Sequence, residues 1–214
     1  MSEHVTVDVV QAGVLPEGGG DTRSQFLRKA VVGGGTLVVG GVAIGGLPKL
    51  ASAAPSARQD QAILNFALLL EYLEAEFYTE AETVGAAIQG ELREFATVVG
   101  AHERTHRDFL ISTLGSAARA KPAFDFRDTV TDPTKFRQTA QALEEVGVSA
   151  YLGQATRLRR PTLGIAATIA SVEARHASWI RDINGKLPAP AAFDKPRTKS
   201  QVESAVQKTG FIVA

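Results

Sequence analysis

Glu103-Arg-Thr-His106 and Glu173-Ala-Arg-His176 each place a carboxylate three residues before an imidazole. Residues three apart share one face of a helix, so each pair can offer an oxygen and a nitrogen ligand to a single metal ion. The pairs use two of the four histidines in the 214-residue chain. There is no cysteine, which excludes a disulfide framework, a thiolate nucleophile and Cys-ligated zinc or iron-sulfur sites. Any metal must then be held by His, carboxylate and water. Met1 is the only methionine, a composition that suits a protein meeting peroxide, because Met and Cys are the usual oxidative casualties.

Two further glutamates interrupt apolar stripes. Glu71 falls among Leu64, Ala67, Leu68, Ala75 and Tyr78, and Glu144 among Ala140, Val148 and Tyr151. Glu103 and His106 share a face with Phe95, Val99 and Leu110, as Glu173 and His176 do with Ala166, Ile169, Ala170, Ala177 and Ile180. A buried, uncompensated carboxylate costs several kcal/mol, so something must neutralise these four. The positions repeat: in each half a Tyr follows the Glu by seven residues (Tyr78, Tyr151), and the Glu-x-x-His lies 32 or 29 residues beyond the Glu. A matched Glu-Tyr helix before each pair is far more specific than a lone Glu-x-x-His. Four carboxylates and two imidazoles would be balanced by two divalent cations. Tyr78 and Tyr151 are candidate hydrogen-bond donors to the carboxylates, or else core aromatics. Glu74 and Glu145 lie within a turn of the same face and rival Glu71 and Glu144.

His102-Glu-Arg-Thr-His106 is also an H-E-x-x-H, the helix signature of zinc proteases. That reading leaves Glu71, Glu144 and the second pair unexplained. Phe109 and Ser112 stand where the longer protease motif has Gly and His, and His102 is expected to be a partly exposed neighbour of the site.

The elements that must position these groups are helical. Ser56 and Gln59 form a capping box for a first helix to about Thr83, closed by Gly85. A second helix spans about Ile88 to Leu114. Asp132-Pro133 opens a third, to about Leu158, and Arg160-Pro161 a fourth, ending at Asn184-Gly185. A short helix near Thr198 to Gln207 is expected outside the bundle. Residues 115–132 can reach about 60 Å extended, more than the roughly 38 Å of a 25-residue helix. The expected fold is all-α, a four-helix bundle with one long crossover between helices two and three, divided as 1–53 export segment, 54–186 bundle and 187–214 tail.

Leu68-Leu-Leu-Glu-Tyr-Leu-Glu-Ala-Glu-Phe-Tyr78, His102-Glu-Arg-Thr-His-Arg-Asp-Phe-Leu110 and Leu143-Glu-Glu-Val-Gly-Val-Ser-Ala-Tyr151 resemble the exported ferritin-like-domain family, some members of which are labelled desiccation-related. The resemblance covers about residues 57 to 185. It implies a ferritin-like di-iron or di-manganese carboxylate site, with Glu71 and Glu144 as terminal ligands, Glu103 and Glu173 as bridges, and His106 and His176 each capping one metal. It implies two iron ions reacting with O2 or H2O2 as a ferroxidase or peroxide-handling protein. The alternatives are a manganese catalase-like dismutase using two manganese ions and a non-enzymatic, stress-associated structural bundle.

Upstream, Arg23 to Lys29 is basic, Ala30 to Leu47 is weakly apolar and Gly-rich, and Ala51-Ser52-Ala53 offers a small-residue cleavage site, the order of a signal peptide. Thr22-Arg-Ser-Gln-Phe-Leu-Arg28 resembles a twin-arginine export motif with Ser24 in place of the second arginine. Export to the periplasm, envelope or exterior is expected, with an uncleaved membrane anchor as the alternative. Lys and Arg (23) balance Asp and Glu (23), which argues against nucleic acid. The expected partners are metal ions and O2 or H2O2, with a homo-oligomer left open.

Overall fold

The computed structural model describes residues 54–213, so the export segment, Ser24 and the cleavage site lie outside the described residues. The chain is mostly helical. Helix α1 (Ala57–Val84) starts at Ser56, whose hydroxyl accepts from Gln59 N at 3.2 Å. Its end is held from outside. The Arg93 guanidinium donates to the carbonyls of Ala81 and Glu82 in the last turn and of Gly85 and Ile88 in the link, at 2.7 to 3.3 Å.

Helix α2 (Glu91–Leu114) begins three residues later than its apolar pattern suggests, because Gly90 sits at φ 62, outside the helical region. Ile88 is instead a fully buried plug in the link. Helix α3 (Pro133–Ala155) opens on Asp132, whose carboxylate accepts from the amides of Thr134 and Lys135. Helix α4 (Arg160–Ile183) has Arg159 as its cap residue but no cap from that side chain. Asp60 of α1 supplies one across the bundle, accepting from Arg159 N (3.1 Å), Arg159 Nε (2.8 Å) and Thr162 Oγ1 (2.5 Å).

Contacts fix the helix directions. Arg104 meets Glu82 and Asn65 meets the Ala117 carbonyl, so α1 and α2 run antiparallel. Tyr78 bonds Glu144 while Tyr151 bonds Glu71, so α1 and α3 do too. Trp179 pairs with Glu91 and His176 with His102 between α2 and α4, and Arg181 with Glu145 between α3 and α4.

Two apolar clusters fill the interior. One gathers Phe77, Tyr78, Phe95, Phe126 and Phe136, and the other Leu64, Leu68, Leu110, Tyr151 and Ile169. Along α2, Phe95, Ala96 and Val99 belong to the first and Leu110 to the second, with Glu103 and His106 between them. The connection after α2 carries a two-residue strand, β1 (Ala123–Phe124), which pairs antiparallel with β2 (Ile212–Val213). Helix α5 (Lys199–Thr209) opens with a Thr198–Gln201 capping box and buries Val202 and Val206 in the first cluster, joined by Phe211. Its other residues are exposed or half-buried, so one face of the helix packs on the bundle. No helix among the described residues is long and apolar enough to cross a membrane.

Candidate metal centre

Glu71 (α1), Glu103 (α2), Glu144 (α3) and Glu173 (α4) are fully buried, and His176 is 3% exposed. Because α1 and α3 run antiparallel, Glu71 lies level with Tyr151 and Glu144 with Tyr78. Each Glu-x-x-His pair turns inward because the residues about a turn away on its face, Val99 and Leu110 or Ile169 and Ile180, are buried and apolar. The six residues form two groups whose ligand atoms lie within 4.8 Å of one another: Glu71, Glu103, His106 and Glu173, and Glu103, Glu144, Glu173 and His176. Glu103 and Glu173 belong to both.

His106 Nδ1 lies 3.2 Å from Glu173 Oε1, 3.3 Å from Glu103 Oε2 and 3.5 Å from Glu71 Oε2. His176 Nδ1 lies 2.9 Å from Glu103 Oε1 and 3.2 Å from Glu144 Oε2. These approaches are close yet poorly aimed. Glu71 Oε2, Glu103 Oε1, Glu144 Oε2, both Glu173 oxygens and His176 Nδ1 are buried without a hydrogen bond. Native proteins rarely bury such atoms bare. Two atoms each about 2.1 Å from a shared ion are about 3.0 Å apart at a right angle and about 3.4 Å apart tetrahedrally, the spacing seen here. Carboxylate and imidazole donors without thiolate suit iron or manganese, so the donor set fits a pair of such ions.

Within the cluster the charges act strongly on one another. Burial pushes Glu71 up to about 8, with the Glu103 charge adding to it and His106 opposing. Burial, then the charges of neighbouring glutamates, raise Glu74 and Glu173 well above the carboxylate range, and burial raises Glu144. Glu103 goes the other way: burial would raise it, but the close imidazoles of His106 and His176 win and hold it at about 2. Burial would lower the two histidines, but their carboxylate partners lift His106 to about 12 and His176 to about 10. The metal-free site therefore gathers protons as substitute cations.

Tyr78 and Tyr151 are buried, and burial followed by the neighbouring carboxylate charge keeps both phenols neutral donors. The donation is crosswise: Tyr78 serves Glu144 and Tyr151 serves Glu71. Seven residues span about 10 Å of helix, so neither tyrosine can reach the glutamate on its own helix.

The rival glutamates separate. Glu145 leaves the site for Arg181 at 2.6 Å, whereas Glu74 is 2% exposed and lies beside the cluster, outside both ligand groups. Its counterpart in the second half is Gly147. A Cβ there would stand 2.6 Å from Glu173 Oε2 and 3.4 Å from Glu74 Oε1, so the glycine makes the room that both carboxylates occupy. Sequence reasoning missed Gly147, although aligning Glu71-Tyr-Leu-Glu74 with Glu144-Glu-Val-Gly147 reveals the departure. His102 is exposed, lies outside both ligand groups and meets His176 through Nδ1···Nε2 at 2.9 Å, an arrangement unlike the shared zinc of an H-E-x-x-H protease.

A family model described as a ferritin-like domain matches residues 59–186. No curated protein matches the chain.

Proposed function

Because this chain belongs to the ferritin-like domain family, we propose that its buried Glu/His cluster holds two iron ions and that the loaded protein reacts with O2 or H2O2 in iron or peroxide handling. The observation that carries the reading is the set of six buried, hydrogen-bond-free ligand atoms aimed at shared space. When bound, two ferrous ions supply one electron each, which with two protons takes O2 to H2O2 or H2O2 to two waters.

The protein's part is positioning. Glu103 and Glu173, common to both groups, act as bridges, Glu71 and Glu144 each serve one ion, and His106 and His176 cap one each. Tyr78 and Tyr151 fix the terminal carboxylates by donating to them. The apolar clusters on either side limit water at the site. The antiparallel pairings support a bundle spanning 54–186 in which residues 115–132 cross over between α2 and α3. Export is part of the proposal and rests on the basic, apolar and small-residue order of residues 23–53.

The test is to measure metals in the purified protein, load it with Fe(II) without oxygen, add O2 or H2O2, and follow ferric absorbance and turnover. Stoichiometric oxidation of two Fe(II), lost when Glu173 and His176 are both replaced by Ala, is the expected result. Trace metal only, or oxidation unaffected by the double replacement, overturns the reading. Bound manganese with O2 release from H2O2 would favour a catalase-like dismutase, and bound metal without turnover a structural bundle.

A further inference from the structure

The two halves of the site match at every ligand but differ just outside them. His102 precedes Glu103, whereas Val172 precedes Glu173 at the equivalent place. His176 turns Nδ1 toward Glu103 and Glu144 and Nε2 outward, 2.9 Å from His102 Nδ1, with the rings 5.2 Å apart and only 15° from parallel. His106 also turns Nδ1 inward, but among the described residues its Nε2 makes no hydrogen bond.

We propose that His102 is a positioning residue for His176, so that the duplicated centre is unequal and the metal position facing His176 is held more tightly than the one facing His106. An imidazole that gives its Nδ1 lone pair to a metal must carry its hydrogen on Nε2, and that N–H needs an acceptor. His102 Nδ1 is that acceptor, which places the His102 hydrogen on Nε2 of an exposed ring. The bond fixes both the tautomer and the ring orientation of His176. Val172 has no acceptor to offer, so His106 depends on packing and water. Outer partners of this kind are commonly worth about 10- to 100-fold in metal affinity.

The inference rests on the dimetal reading, and cobalt(II) titration followed by calorimetry and visible absorbance separates the two. Wild type should bind two ions with distinct constants. His102→Leu should weaken one constant about 10- to 100-fold and leave the other within about twofold. His102→Asn, which keeps an acceptor oxygen where Nδ1 stood, should restore most of the loss. In a His176→Ala background, His102→Leu should change nothing further. No cobalt bound by wild type overturns both readings. Two ions bound with constants indifferent to His102→Leu, or both weakened equally, overturn this inference alone, as does His102→Asn behaving like His102→Leu.

Discussion

Replacing Gly147 with alanine should separate the stability of the bundle from its capacity for metal. The new methyl would stand 2.6 Å from Glu173 Oε2, where ordinary contact begins at 3.4 Å, so the carboxylate must retreat by about 0.8 Å. Without metal, that retreat costs about 0.5 to 1.5 kcal/mol of rotamer strain, against a gain of about 1 kcal/mol from replacing glycine inside a helix. The two nearly cancel, so the metal-free melting temperature should move little. With metal the cancellation fails, because metal–ligand distances hold to within about 0.2 Å and Glu173 belongs to both ligand groups. Both positions should lose at least about tenfold in affinity, or about 1.4 kcal/mol each. Gly164→Ala on α4, where nothing lies within 4 Å of the added carbon, is the control: it should gain about 1 kcal/mol and bind as wild type. Melts with and without cobalt(II), together with titration, read both quantities. Wild-type affinity in Gly147→Ala would refute the steric reasoning.

Two other outcomes follow from the charges. Glu71, Glu74, Glu144 and Glu173 have raised folded pKa values, so their share of stability is lost as pH rises above the unfolded value near 4.5. His106 and His176 act in the same sense, contributing fully below 6.5 and losing that contribution as pH rises toward about 12 and about 10. Glu103, held at about 2, and His102, lowered by burial and by the charges of His176 and His106, oppose. Metal-free stability should therefore fall between pH 5 and 8, by up to about 1.4 kcal/mol per pH unit for each retained proton, while the gain in melting temperature on adding metal grows; flat metal-free melts would contradict this. Asp60→Asn should cost about 1.5 kcal/mol by weakening the bonds to Arg159 and Thr162. Asp60 is depressed below 3.8, where its bonds to Thr162 and Arg159 outweigh burial, so in urea unfolding the difference from wild type should persist above pH 4 and vanish as pH falls further.

The buried Glu/His cluster was legible because a carboxylate inside an apolar stripe violates the pattern that builds a core, and the same violation occurs four times at matched intervals. Helix caps at Ser56 and Asp132 were legible from local chemistry alone. What escaped depends on contacts distant in sequence. Tyr78 and Glu144 are brought together only by the antiparallel meeting of α1 and α3, and Asp60 caps a helix that starts 100 residues later. The pairing of β1 with β2 is two residues long, too short for any periodicity, and is reinforced by Arg127 donating to the carbonyls of Thr209 and Gly210. Glu74 and Glu145 could not be ranked without the helix rotation that sends one inward and the other to Arg181.

The crosswise tyrosines bear on what a single half could do alone. Each ligand group draws three residues from one Glu-Tyr and Glu-x-x-His half and its fourth from the other, and each terminal glutamate takes its phenol from the opposite half. A chain cut within residues 115–132 would leave two hairpins, neither holding a complete group of four. Their reassociation and the capture of metal would then be one thermodynamic event, with the ion serving as the joint between fragments.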